Sequence, residues 1–442
     1  MPRAAILLAV LGCAAVATFL AGARTSLSAQ GPLAFRESSD HPAIKYSTTP
    51  TNDAVAVLNR RIESGAVQLA FDSVKGYLPS VLQALQVPKE SQIAVFSATS
   101  FQADKINAQN PRAIYYNDSV AVGWVRGGLL EVAAQDPQLG PIFYVLEQQG
   151  PPAPTVPTLL PGPAGRPQFK RSTECLECHR SWETLAVPGL MVLSTFPPTT
   201  RNGYASGGAT DHRTLLSQRW ASWYVTGRPG PNRHMGNKPV PSQADTSAPV
   251  VLSSLEGRVD LKGYATPYSD IVALMVFEHQ THMTNLLTYI DWESRVAEFE
   301  RHAPTGTASR TKIQEIARDV VDYLLFVDEA PLAGKIEGTS GFTEMFSAEG
   351  PRDSRGRSLR QLDLERRLMR YPCSYMIYSP LFDSLPAAAR DAIYSRMWEI
   401  LSGQDKQPAY RRLSLADRRA IVEILRETKK DLPSDFRGAN VS

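Results

Sequence analysis

Ala113-Ile114-Tyr115-Tyr116-Asn117-Asp118-Ser119-Val120-Ala121-Val122-Gly123-Trp124-Val125 reads as two strands around a tight turn. Residues 113–116 and 120–125 are rich in β-branched and aromatic side chains, which suit a pleated, half-buried surface. Asn117-Asp118 between them favours a turn, because these side chains hydrogen-bond the backbone just ahead of them. Similar runs lie on either side: Gln92 to Phe96 before, Leu129 to Ala133 and Ile142 to Leu146 after. Short strands joined by short connections pair with their neighbours in antiparallel fashion. A small, mostly antiparallel sheet is therefore expected between residues 90 and 150. Two short helices are expected ahead of it, at Asp53 to Ile62 and at Tyr77 to Leu85, the second ended by Val87-Pro88.

Past the sheet the chain changes character. Gly150 is followed by seven prolines, the last of them Pro167. Proline fixes φ and removes a backbone donor, so this segment is a linker or stiff strap, not a helix or central strand. It leads into Cys175-Leu176-Glu177-Cys178-His179. Two cysteines at i and i+3 with a histidine directly after the second form the attachment pattern of a c-type haem. Each thiol can add to one vinyl group of the porphyrin, and the imidazole becomes the proximal ligand of the iron. Other uses of paired cysteines fit less well. A structural zinc site needs four ligands, usually from a second cysteine pair that this chain lacks. A dithiol redox site would sit in a βαβ unit and would not need the histidine.

From Ser181 to Ser269, Gly, Pro, Asn and Thr recur, and regular signals are few. A helix is expected at Ser217 to Val225; the rest reads as loops around the cofactor. Beyond Ser269 the apolar spacing turns helical. Ser269 or Asp270 can cap a helix from Ile271 towards Trp292 or Glu300. Further helices are expected at Lys312 to Val327, Ser358 to Arg370, Pro386 to Leu401, and from a capping box at Ser414 and Asp417 to Glu427. The expected class is α+β: an N-terminal sheet, a loop-rich haem segment and a helical C-terminal part. The corresponding boundaries are an export signal at 1–29, an α+β domain at 30–150, a linker at 151–167, a haem region at 168–305 and a helical region at 306–442.

The leader carries Arg3, an apolar run from Ala4 to Ala23, and small residues that suit cleavage at Ala21-Gly22-Ala23 or at Ser26 to Ala29, with an uncleaved anchor as the rival reading. No later segment is apolar enough to span a membrane. Composition is that of a globular protein, 43% hydrophobic and 21% charged. A net charge of +3 with no dense basic stripe excludes nucleic acid as the partner. Once the leader is removed three cysteines remain, and the odd one, Cys373, reads as a buried, unreactive thiol among aromatics.

The second axial position has several candidates. Met235, in a Gly/Pro/Asn-rich loop after the motif, is the first choice, with His234 beside it. Met191 reads as core. His279 and His282 share a face of the long helix with Met275 and Leu286, either one as the distal ligand or a proton relay, or both as core histidines. Trp182, Trp220, Trp223 and Tyr224 are candidates to pack on the porphyrin. Arg213, Arg219, Arg228 and Arg233 are candidates to pair its propionates.

Cys175 to His179 resembles the motif of the c-type cytochromes. Without a helix after the motif, the chain departs from their small single-domain form. The whole sequence is similar to larger exported bacterial proteins with one such motif, on the strength of Val95-Phe96-Ser97, Val122-Gly123-Trp124-Val125, Arg233-His234-Met235-Gly236-Asn237 and Arg370-Tyr371-Pro372-Cys373-Ser374-Tyr375. The resemblance implies one covalently attached haem c and a periplasmic location. The expected role is single-electron transfer with a redox partner protein in the cell envelope. A haem-dependent oxidoreductase acting on peroxide or a small organic substrate, or a haem-based sensor with an open iron position, is the alternative. No catalytic residue is assigned from the sequence.

Overall fold

The computed structural model describes residues 34–148, 166–196, 206–238, 250–301 and 310–438. The leader at 1–29 and most of the proline-rich stretch lie outside them. Strands β1 (Ile93–Val95), β2 (Arg112–Tyr116), β3 (Val120–Trp124), β4 (Leu130–Asp136) and β5 (Gly140–Leu146) form the expected antiparallel meander. Its central turn is held as the side chain suggests: Asn117 Oδ1 accepts from the backbone N–H groups of Ser119 at 3.0 Å and Val120 at 2.9 Å. Strand β6 (Lys170–Arg171) pairs with β5 at one edge. Strands β7 (Val192–Phe196) and β8 (Ser206–Thr210) form a separate antiparallel pair. Strand β9 (Trp223–Tyr224) pairs with β1, closing the far edge of a seven-stranded sheet in the order β6-β5-β4-β3-β2-β1-β9.

One face of the meander, with Tyr115, Val122, Leu130 and Ile142, is fully buried. Helix α1 (Ala54–Glu63) is docked on that side, where the Tyr144 hydroxyl donates to Asp53 Oδ2 at 2.6 Å. Asp53 also caps α1 through Oδ1. Helix α2 (Leu78–Ala84) follows, and the four-residue α3 (Leu176–His179) carries the cysteine motif. On the other face lie the smaller or half-buried residues Ile114, Ala121, Gly123, Glu131 and Ala133.

Helix α4 (Ile271–Arg301) is the spine of the molecule. It touches β1, β5 and β7 on one side. On the other it meets α5 (Arg310–Leu324), α6 (Phe342–Ala348), α7 (Pro380–Asp383) and α8 (Ala387–Leu401). Helices α9 (Leu415–Thr428) and α10 (Ser434–Gly438) complete the helical part. The α+β reading holds. The expected divisions at 30–150, 168–305 and 306–442 share one compact unit from Ala34 onward. Strands β6 and β9, from the middle region, finish both edges of the N-terminal sheet. No helix among the described residues is long and apolar enough to cross a membrane.

Two expected helices are absent. Ser217 to Val225 gives a single tight turn at Leu216–Gln218 and then β9. Trp220 and Ser222 take φ of 73° and 66°, and the Ser222 carbonyl accepts from Phe96 N–H. Sheet pairing overrides the local helical pattern here. Ser358 to Arg370 is irregular, with Leu364 at φ 60°. Its backbone is engaged elsewhere: Leu368 N–H donates to Glu329 Oε1 at 2.7 Å, and Leu364 O accepts from Ile336 N–H at 2.8 Å.

Asp270 joins the parts. Oδ1 caps α4 by accepting from the N–H groups of Val272 and Ala273. Oδ2 accepts from the N–H groups of Thr339 and Ser340 at 2.7 and 2.8 Å. Removing the carboxylate leaves these donors without acceptors. Asp270→Ala is expected to destabilise the fold by about 3 kcal/mol. Urea unfolding measures this, and a loss under about 1 kcal/mol would contradict the double role.

Candidate functional site

The cysteine motif sits where the chain leaves β6. Ser172 N–H donates to Phe143 O at 2.9 Å, which fixes the exit from the sheet. One helical turn follows, closed by His179 N–H on Cys175 O at 2.9 Å. Both thiols are free; Cys175 is partly buried and Cys178 is exposed. Burial pushes the Cys175 thiol up from its ordinary value. The chain then reverses through Leu185 and Ala186, both left-handed, with φ of 59° and 56°.

That reversal brings Gly189 back to the histidine. His179 Nδ1 lies 2.9 Å from Gly189 O, and Gly189 N–H donates to His179 O at 2.8 Å. A carbonyl can only accept, so Nδ1 carries the proton and Nε2 keeps its lone pair. Burial of the ring holds its pKa below the usual value. The Phe143 ring lies 4.8 Å from the imidazole, centroid to centroid. Helix α4 secures the carbonyl from behind. Asn285 Oδ1 accepts from Leu190 N–H at 3.0 Å, and Asn285 Nδ2 donates to Leu190 O at 2.7 Å. Position 189 has to be glycine, since a Cβ there would fall 2.3 Å from Asn285 Oδ1.

Cys175, Cys178 and His179 open onto a cavity of about 380 Å³ against the less buried face of the sheet. Gly123, Ala121 and Ala133 form a low floor, and Ile114, Leu190, Met191 and Phe277 are its apolar walls. Arg112 lies across Gly123, where a Cβ would come within 2.5 Å of Nη2. Its Nη2 is 2.9 Å from Glu131 Oε2. The alignment is poor for hydrogen bonding: Arg112 Nε and Glu131 Oε2 are both buried without a hydrogen-bond partner.

The structure brings Cys175, Cys178 and His179 together but not Met235. Phe143, on β5, touches His179, whereas Met235 hangs beside β9, with its N–H on Arg219 O. Strands β5 and β9 are five spacings apart, about 24 Å along the sheet. His234 is buried, its Nδ1 accepting from Gly236 N–H at 3.1 Å. His279 has both nitrogens engaged, with His212 Nδ1 at 2.8 Å and Ser374 Oγ at 2.7 Å. His282 Nε2 meets Arg213 at 3.0 Å.

The candidate propionate partners are also elsewhere. Arg213 pairs with Asp211, Arg219 with the buried Glu278, and Arg228 with Glu337. Neither these nor Arg233 line the cavity, and neither do the four candidate aromatics, of which Trp182 is 70% exposed. Arg112, Glu131 and Met191 are the residues that sequence reasoning did not place here. Period-2 alternation sets Arg112 and Ile114 on one strand face. Nothing local says that a cofactor motif will dock over that face. Cys373 is fully buried, as expected, with its thiol pKa raised by desolvation. No group of three or more His, Cys, Asp or Glu among the described residues is placed to hold a metal ion. Comparison with protein-family models, curated proteins and solved structures finds no match.

The buried titratable groups act on stability in opposite directions. Burial holds His279 down at about 3 and His282 at about 4, and pushes Asp291 and Glu329 up to about 7. As pH falls from about 6.5 to about 4, the unfolded chain protonates these histidines while the folded chain does not, so stability is lost. Over pH 7 to 4 the two carboxyls take up protons in the folded state first, so they favour folding. Nitrogen NMR of histidine-labelled protein at pH 5 is expected to show His279 and His282 neutral. An imidazolium signal from either would contradict the buried arrangement.

Proposed function

We propose that this chain is an exported monohaem c-type cytochrome that exchanges single electrons with a partner protein in the cell envelope. The observation that carries the reading is the hydrogen bond from His179 Nδ1 to Gly189 O. A histidine that ligates a metal almost always donates its other N–H to a carbonyl or carboxylate, which fixes the tautomer and aims the free nitrogen. Here that arrangement occurs on the histidine that follows two free cysteines, at the mouth of a largely apolar cavity. The residues fit the group: Cys175 and Cys178 would hold it covalently, His179 would supply the proximal nitrogen, and the floor at Gly123, Ala121 and Ala133 leaves room beside them. Haem c bound there would supply a one-electron iron couple. The exposed Cys178 sets the attachment point at the protein surface, where a partner can approach. Periplasmic location follows in the same reading from the apolar leader and from the compartment in which such haems are attached.

A second reading, a haem-dependent oxidoreductase or sensor, uses the same attachment. It is favoured by one observation: Met235, His234, His279 and His282 are all away from the cavity.

Expression in the periplasm of a host able to attach haem c tests the attachment. Pigment is expected to survive acid–acetone extraction and to migrate with the polypeptide in a denaturing gel. The double variant Cys175→Ala/Cys178→Ala is expected to lose it. Pigment extractable from the wild-type protein would overturn the proposal.

A further inference from the structure

We infer that the cavity leaves the iron's second axial position to an external ligand, and that Arg112 is the residue that receives it: a small anion whose free end accepts a hydrogen bond. The inference rests on haem attachment at Cys175, Cys178 and His179 and goes beyond it.

The first step is elimination. A protein-supplied axial partner in c-type proteins is a histidine or a methionine. The chain has seven histidines and nine methionines, and only Met1 and His302 fall outside the described residues. Of the rest, only His179 and Met191 line the cavity. Met191 is tethered to the loop that holds the histidine. It stands two residues after Gly189, whose carbonyl sits behind His179 at Nδ1. Leu190 between them is clasped at both its N–H and its carbonyl by Asn285. Two residues of chain span at most about 7 Å, so the Met191 backbone stays with the loop that orients His179, and Met191→Leu tests whether its thioether reaches the iron.

The second step is the unmatched polar chemistry of the cavity. Arg112 is 21% exposed and Glu131 16% exposed, so both are largely removed from water. Their ion pair leaves Arg112 Nε–H without an acceptor and Glu131 Oε2 without a donor. A buried donor in this state is costly, and structures seldom leave one so unless something else supplies the acceptor. Thr99 and Ser100 line the same cavity. A cation with a free N–H selects a small anion over a neutral diatomic molecule. Glu131 sets the strength of that selection, because it cancels part of the Arg112 charge.

Azide and carbon monoxide serve as the probes, on the full-length exported protein with its haem. Staining of the denatured protein first reports covalent haem. Its absence would remove the attachment reading, and this inference with it. With haem present, the ferric wild-type spectrum is expected to be high-spin and to shift on azide titration. Arg112→Lys and Arg112→Leu are expected to weaken azide by roughly tenfold or more, with carbon monoxide binding to the ferrous protein changed much less. Glu131→Gln is expected to tighten azide, an outcome that mere structural damage would not give. Met191→Leu is expected to leave the spectrum as it was. A low-spin wild-type spectrum that Met191→Leu converts to high-spin would overturn the inference in favour of a methionine-closed iron. Unchanged azide affinity in both Arg112 variants would overturn the role of Arg112.

Discussion

Helix α4 is almost wholly buried from Ile271 to Ser294, yet it carries polar side chains along that length, and those at its centre find partners inside the protein. That pairing organises the structure. Glu278 answers Arg219 and Thr210, at 3.1 and 2.6 Å. His279 answers His212 and Ser374. Gln280 donates to Asn117 O at 2.7 Å and accepts from the Tyr375 hydroxyl at 2.7 Å. Asn285 clasps Leu190. The partners come from the sheet's central turn, the loops after the cysteine motif and the C-terminal helical part. A sliding of α4 by one residue would strand all of them, each at a cost of about 1–3 kcal/mol. Buried polar networks of this kind add less net stability than an apolar core, and what they contribute is register.

The candidate site follows from that register. The Gly189 carbonyl that orients His179 belongs to a loop with little regular structure of its own. Its position is set by the Asn285 amide on α4 and by the absence of a side chain at 189. Beneath it, Arg112 can lie flat only because position 123 also lacks a side chain. The site is thus assembled from two close backbone approaches, one on each side of the cavity.

Much of this was legible in the sequence, for identifiable reasons. The meander from β1 to β5 has strong period-2 composition and a turn whose chemistry is local, so its strands could be read to within three residues at each end. Helices α4 and α9 start at caps that the sequence shows, Asp270 and Ser414, and α8 starts directly after Pro386. The failures lie where distant residues decide. The pattern at Ser217 to Val225 is helical until β1 offers an edge to pair with. The pattern at Ser358 to Arg370 is helical until residues 329 and 336 claim its backbone. Spacing along the chain suggested Met235 as an iron ligand, but the sheet carries that loop to its opposite edge. Arg112 and Asn285 could not be assigned to the site because each acts across the fold, on segments far away in sequence.

The pairing of β1 with β9 joins Ala94 to Tyr224, with the whole cysteine segment enclosed in the loop between them. The entropic cost of closing a loop grows with its length, whereas β2 to β5 are linked by turns of a few residues. The two thiols stand next to the local part of this topology, on the floor made by β2 to β5. The clasp on Leu190 belongs to the non-local part, because Asn285 lies beyond β9 on α4. Along the order of assembly that contact order favours, the surface that faces the cysteines is complete before the carbonyl that locks their histidine is fixed.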